Sequence, residues 1–349
     1  MMYNQKVSIA MCTYNGERFL KEQIDSILNQ SYKNFELIIT DDCSSDKTIE
    51  IIKEYLKHDD RIKLFQNEKN LGFIKNFEKA ISLCSGEYIA LADQDDIWKG
   101  NKLEVFLKEI KDNVLIYSDA ILIDKNSKEL GRTLVKSEDR SLVSGKCNKS
   151  FILTNCISGN TLMFKKELVQ YILPIPENIS FHDIWIAFVA SSYGTITYTD
   201  ESMTYYRRYE EQVTHRSSAD TNGIFGMYNY SLKRSNKYIK QLLMNLNIYS
   251  KLNIVDDETK TLINKIHEHL INYDKDTFDS DLKKQLFNYN HQIYAIFNKK
   301  NTRTFEIATV LKYYNSNRFY IKCIYKGIFR EMRLKTKDIR YKILRKREI

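Results

Sequence analysis

Two carboxylates one residue apart, Asp93 and Asp95, follow an apolar run at 87–92. That spacing lets both present oxygens to a hard divalent cation, Mg²⁺ or Mn²⁺, that also binds phosphate oxygens. A solvated acidic turn is the plain alternative, so the pair gains meaning only from its surroundings. A second acidic pair, Asp41-Asp42, ends the apolar run at 35–40, and Cys12-Thr13-Tyr14-Asn15-Gly16 closes a third run that starts at Val7. Further on, His182-Asp183 offers an imidazole and a carboxylate, either of which could take a proton from a hydroxyl. Arg207 and Arg208 carry guanidinium forks suited to phosphate.

These groups need a scaffold that gathers them. The first 120 residues alternate β-rich runs, at 7–13, 35–40, 62–66, 87–92 and 114–118, with helical patterns. Phe19, Leu20, Ile24, Ile27 and Leu28 recur at helical spacing, as do Ile49, Ile52, Tyr55 and Leu56 after the capping candidates Ser45 and Asp46. Two more helices are expected at 73–83 and 102–110. The pattern predicts an α/β domain with a mostly parallel sheet flanked by helices. In such a sheet ligands sit at the carboxyl ends of the strands, so the three loops converge on one edge. A mixed region follows, with strands at 161–164 and 195–199 and a helix at 182–193. Beyond 220 glycine is sparse and helical patterns dominate, which predicts a helical appendage over 220–349.

Composition excludes several classes. Apolar residues are 43% of the chain, charged residues 28%, and only two prolines occur, so an ordered globular protein is expected. The six cysteines are scattered without a CxxC pair, which argues against a zinc site or a disulfide framework. The apolar run after the first six residues is too short for a signal peptide or a membrane span, and a cytoplasmic protein is expected. Residues 317–349 hold twelve Lys/Arg against Glu331, Asp338 and Glu348. That tail accounts for the whole formal charge of +9. The neutral body lacks the field of a nucleic-acid-binding enzyme, and no GxGxxG follows the first strand, as a dinucleotide site would require. A basic peripheral binding protein with an inert α/β body is the alternative of a different class, but it leaves the three acidic and polar loops without a purpose.

Together the segments 7–16, 38–42 and 86–98 resemble glycosyltransferase family 2, and the likeness extends over about 5–215. The resemblance implies a GT-A fold, with domain limits of 1–219 (a nucleotide-sugar half at about 1–118 and an acceptor half at about 119–219) and a helical region at 220–349. It implies that Cys12 and Tyr14 border the nucleobase, that Thr13 belongs to the same nucleotide-sugar site, and that Asp42 accepts a hydrogen bond from the base. Asp95 would bind Mg²⁺ or Mn²⁺, with Asp93 beside the sugar phosphate and helping to hold the metal. Cys12 stands where proline is commoner, which matters little because the position contributes backbone.

Residues 157–164 and His182-Asp183-Ile184-Trp185 are similar to the acceptor half of bacterial rhamnosyltransferase-like members. That likeness makes Asp183 the catalytic base and puts His182 and Trp185 on the acceptor. The 206–209 and 212–214 segments resemble a late motif that closes over the donor diphosphate, which implicates Arg207 and Arg208. Tyr209 replaces the usual histidine, a departure from the family at a position that can supply a metal ligand. The implied reaction is inverting transfer from a UDP- or dTDP-sugar to a hydroxyl of a glycan or lipid-linked oligosaccharide in cell-surface polysaccharide synthesis. In the tail, Lys322, Lys326, Arg330, Arg333, Lys337 and Arg340 fall at helical spacing beside apolar residues. A stripe of that kind predicts peripheral binding to an anionic membrane on the inner face of the cell membrane, and no nucleic-acid partner.

Overall fold

The computed structural model describes residues 4–138, 140–209 and 240–271, with further positions between 282 and 296. Its centre is a nine-stranded sheet in the order β3-β2-β1-β4-β8-β6-β9-β5, with β7 paired to β6. The strands are β1 (Val7–Thr13), β2 (Phe35–Asp41), β3 (Ile62–Gln66), β4 (Tyr88–Ala92), β5 (Ile97–Trp98), β6 (Leu115–Ile123), β7 (Glu129–Thr133), β8 (Leu162–Lys165) and β9 (Ile196–Arg207). The pairs among β1, β2, β3 and β4 are parallel, β8 is antiparallel to both β4 and β6, and β6 is parallel to β9. The order reverses at β1, with β2 on one side and β4 on the other, which is where an open α/β sheet presents its ligand crevice.

Alternate residues of each central strand face opposite layers, and both faces are apolar because both are covered. Ile9, Met11, Leu37 and Ile39 pack with Leu20, Ile24 and Ile27 of α1 (Leu20–Leu28), Ile52 of α2 (Thr48–Leu56) and Leu103 and Phe106 of α4 (Lys102–Ile110). Ala10, Ile38, Ile89 and Leu91 face the other way, onto Phe77 and Ile81 of α3 (Phe73–Ser82) and Ile186 and Phe188 of α7 (His182–Tyr193). Two short helices, α5 (Leu134–Ser137) and α6 (Val169–Ile172), precede α7 in the chain.

The expected elements at 7–13, 62–66, 102–110 and 182–193 coincide with β1, β3, α4 and α7. Two strands run further than their apolar cores suggest. β6 reaches Ile123 and β9 reaches Arg207, paired across a register shift between Ser118 and Ala120 that absorbs the polar stretch around Asp200 and Glu201. The two-residue β5 and the mostly exposed β7 carry no apolar periodicity, and exist through pairing with β9 and β6.

The described helices beyond 240 pack on the same core. Tyr249 stacks on Phe188 with ring centroids 3.7 Å apart, and Leu262, Ile263 and Ile266 of α8 (Asp257–Ile271) are fully buried in the cluster that holds α7. Lys149 meets Glu258 at 3.0 Å. Among the described residues no helix is long and apolar enough to cross a membrane. Cys84, Cys147 and Cys156 are buried free thiols, Cys12 is partly buried and Cys43 exposed. The boundary at 219/220, the 212–214 segment, Cys323 and the basic stripe of 317–349 lie outside the described residues.

Candidate active site

The loop after β1 turns at Asn15, which adopts a positive φ of 49°. Thr13 is buried and donates to Asp41 Oδ2 at 2.8 Å, so its hydroxyl ties β1 to β2 and is not offered to a nucleotide. Asp41 also receives the Ser44 backbone N–H at 2.9 Å and the Ser44 hydroxyl at 2.5 Å. Cys12 Sγ lies 3.4 Å from the Thr40 hydroxyl, and burial pushes its thiol well above the usual range. Tyr14 projects outward and is half exposed.

Asp42 is buried just after β2. Its Oδ1 accepts from Leu71 N at 2.7 Å and Asn67 Nδ2 at 2.8 Å, and its Oδ2 from Gly72 N at 2.8 Å. Gly72 makes this bond at a φ of 78°, in the left-handed region that favours glycine. The residue expected to receive a nucleobase therefore also fastens the loop that opens α3. A carboxylate has roughly four acceptor sites, so these three bonds leave room for one more.

The loop after β4 is the centre of the site. Asp93 is half-buried, and burial, reinforced by Asp96, Asp95 and Asp183, pushes its acid well above the carboxylate range. That the Asp183 charge acts on Asp93 is consistent with the start of α7 lying near the end of β4. Gln94, between the two aspartates, grips Tyr14: it accepts from Tyr14 N at 2.8 Å and donates to Tyr14 O at 3.0 Å. A neutral side chain between two acids carries no charge signal, so nothing in the sequence marks Gln94. Gly16 is part of the same joint, since a Cβ there would collide with the Gln94 carboxamide.

Asp95 accepts a hydrogen bond from the Tyr209 hydroxyl at 2.6 Å through Oδ2. Burial first, and Asp95 next, push the Tyr209 phenol up, so it stays a donor. Beneath the loop, Asp96 is fully buried and bonds Asn160 Nδ2 and Arg207 N. Burial and the neighbouring Asp95 raise its acid to about 7. Lys102, also fully buried, donates to Asn160 O at 2.7 Å and Thr204 Oγ1 at 3.1 Å and lies 3.7 Å from the Trp98 ring centre. Asp96, Asn160 and Lys102 are missed by sequence reasoning, because their role depends on burial, which a local pattern does not report.

Arg207 departs from its expected role. Its guanidinium is fully buried, donating to Asp95 O at 2.8 Å, Ser127 Oγ at 2.9 Å and Glu22 Oε2 at 2.9 Å, with the Phe19 ring at 4.3 Å. A side chain so enclosed braces the acidic loop and has no face for a diphosphate. Arg208, the next residue, is partly exposed and lies 3.8 Å from Glu138.

Asp183 sits in the first turn of α7 and is partly exposed. Burial raises its acid to about 6, against the lowering influence of the Ile184 N–H and Arg140. His182 is 7% exposed and stacked on Phe77 at 4.0 Å, and burial lowers it to about 3. Its position against Gly159, where a Cβ would come 2.5 Å from Nε2, leaves it a packed neutral ring and a poor base at neutral pH. Trp185 was expected on the acceptor, but it is 3% exposed and its indole N–H is taken by Ile172 O at 2.8 Å. It is core, because the helical turn that leaves Asp183 partly exposed swings Trp185, two residues on, toward α6 and the buried side.

The carboxylate chemistry fits a cation that arrives with phosphate. Among the described residues no cluster of three or more His, Cys, Asp or Glu could hold a metal, yet Asp93 and Asp95 crowd like charge at one point. Mg²⁺ is typically held by one or two carboxylates together with substrate phosphates, and the two aspartates are the residues that could supply those carboxylates.

Comparison with known proteins agrees with this geometry. Residues 8–171 match the model of glycosyl transferase family 2. The Escherichia coli UDP-Glc:alpha-D-GlcNAc-diphosphoundecaprenol beta-1,3-glucosyltransferase WfgD is 41% identical over 123 residues, 35% of this chain and 48% of that protein. The match thus spans about half the length of that relative. Among solved structures, S. aureus TarS 1–349 in complex with UDP-GlcNAc superposes with a TM-score of 0.55 at 18% identity, covering 95% of this chain and 92% of that one. The mannosyltransferase PcManGT from Pyrobaculum calidifontis, in complex with GDP-Man and Mn²⁺, gives 0.51 at 14% identity, covering 77% and 70%. At these identities the two structures speak for the fold alone, which is GT-A. With the family match lying over β1, β2, β4 and the acidic loops that follow them, residues 8–171 of this chain are a glycosyl transferase family 2 segment.

Proposed function

We propose that this glycosyltransferase moves a sugar from a UDP- or dTDP-linked donor to a hydroxyl of a glycan or lipid-linked oligosaccharide, with inversion, in the synthesis of a bacterial surface polysaccharide. What supports the reading is that the acidic loop at the end of β4 and the partly exposed Asp183 in the first turn of α7 are near enough for the Asp183 charge to act on Asp93, with the Asp183 acid raised to about 6 by burial. The E. coli relative's name specifies a nucleotide-sugar donor and a diphosphoundecaprenol-linked acceptor, which supports the same classes here.

In this reading Tyr14 and Asp42 hold the base, with Cys12 lining the same end. Asp183 accepts the proton of the acceptor hydroxyl as its oxygen attacks the anomeric carbon. The bond from that carbon to the diphosphate oxygen breaks on the opposite side, and the electron pair leaves with the nucleoside diphosphate. Asp95 and Asp93 would hold Mg²⁺ or Mn²⁺, whose chemistry is to offset the charge growing on that leaving group. His182, packed behind Asp183, orients the turn that carries it. The basic tail supports a peripheral place at an anionic membrane, testable by co-sedimentation of the full chain with anionic vesicles.

The test is Asp183→Asn. Transfer should fall by about 10²-fold or more while calorimetry shows nucleoside diphosphate binding intact. Retention of transfer would overturn the base assignment. Release of free sugar without a glycoside product, when acceptor is supplied, would favour hydrolysis over transfer.

A further inference from the structure

A cluster of two arginines and a glutamate, two of whose charges reach Asp183, has no part in the donor site as proposed above, although the family resemblance implicates Arg208 there. Glu138, just past the end of α5, is shared by two arginines from distant parts of the chain: Arg140 Nε lies 3.3 Å from one carboxylate oxygen and Arg208 Nη2 3.8 Å from the other. Each of the three side chains is 26% exposed, so the pairing is reachable from solvent. The positions are set by structure beneath them. Arg208 stacks over Tyr206 at 4.7 Å, and Tyr206 belongs to a small apolar cluster with Ala120, Leu122 and Leu134. Asp119 Oδ1 accepts from Val135 N at 3.0 Å and holds α5 in place. Arg208 directly follows Arg207, which is bonded to the acidic loop, while the charges of Arg140 and Glu138 both act on Asp183.

Two guanidiniums held to a single carboxylate at 3.3 and 3.8 Å are longer than the best charge-assisted contacts, about 2.7–2.9 Å. A phosphate, with more acceptor oxygens, can engage both forks more closely than Glu138 does.

We propose that Arg140 and Arg208 form an anion subsite for a phosphate group of the acceptor, with Glu138 as an internal counter-ion that the phosphate displaces. The inference rests on the transferase reading, and it deepens it by naming an acceptor that carries phosphate near the hydroxyl that reacts. In that reading the donor diphosphate is held by way of Asp93 and Asp95, and Arg208, flanked by the Asp95 partners Arg207 and Tyr209, lies next to that place without sharing its contacts to Glu138 with it.

The probe is inorganic pyrophosphate, titrated calorimetrically into the full chain in EDTA at low salt, with and without saturating UDP. The expected result is binding that persists with UDP present, weakens by about tenfold or more in Arg140→Gln and Arg208→Gln, and tightens by severalfold in Glu138→Gln. Tightening is the informative outcome, because a Glu138 that only braced the fold would weaken binding when altered. Absence of pyrophosphate binding, unchanged affinity in both arginine variants, weaker binding in Glu138→Gln, or displacement of pyrophosphate by UDP would each overturn the subsite. UDP affinity, read in the same titrations, tests the donor reading separately, since its loss would leave the pyrophosphate isotherm to be judged alone.

Discussion

Gln94 bonds both backbone polar groups of Tyr14, accepting its N–H at 2.8 Å and donating to its carbonyl at 3.0 Å. The loop that should meet the base and the loop that should meet the metal are thereby one rigid piece. Gln94→Ala removes both bonds at a cost of about 1–3 kcal/mol. Nucleoside diphosphate affinity and Mn²⁺ affinity should fall together, by about tenfold each, as read by calorimetry and by electron paramagnetic resonance of Mn²⁺. A change in one with the other constant would show the loops to be independent.

Arg207→Leu should act on stability. Removing a buried guanidinium that braces Asp95, Ser127 and the half-exposed Glu22 leaves acceptors without their donor at a cost of about 1–3 kcal/mol, which a calorimetric scan would register as a lower Tm. A residue that served only the diphosphate would leave Tm unchanged.

Tyr209→Phe removes a 2.6 Å hydrogen bond from one Asp95 oxygen. Since a hydrogen bond to a charged group contributes about 1.5–3 kcal/mol, Mn²⁺ should bind the variant about tenfold more tightly in the presence of nucleoside diphosphate. Weaker binding would mean that the phenol orients the carboxylate for the metal.

Transfer should depend on pH through Asp183. Its acid is raised to about 6, and a base works only when deprotonated, so the rate should climb as pH rises through about 6 and level above it. His182→Phe should retain that limb, because His182 is buried and lowered to about 3. The stability effect has the opposite sense. A carboxyl whose folded value exceeds its unfolded value, near about 3.9, holds its proton more firmly when folded, so its contribution is fully present below about 4 and lost as pH rises through about 6. Denaturant titrations of wild type and Asp183→Asn across that window would read the difference.

The residues themselves determined the layered α/β class, because apolar periods of about 2 and 3.6 report which faces are covered. They also determined where the acidic loops lie, because strand ends in such a sheet open on one crevice. Asp42, Asp93 and Asp95 became candidates for that reason, whereas Asp183, in the first turn of α7, became one through its pairing with His182 and the family resemblance. What a side chain does once buried was decided by tertiary structure. Trp185 and Arg207 look like ligand contacts in one dimension, but α7 turns the first into the core and β9, running past its register shift with β6, carries the second beneath Asp95. Gln94 and Lys102 lack any local signature, since a hydrogen bond across 80 positions or an amine enclosed by Trp98 and Asn160 exists only after the strands have paired.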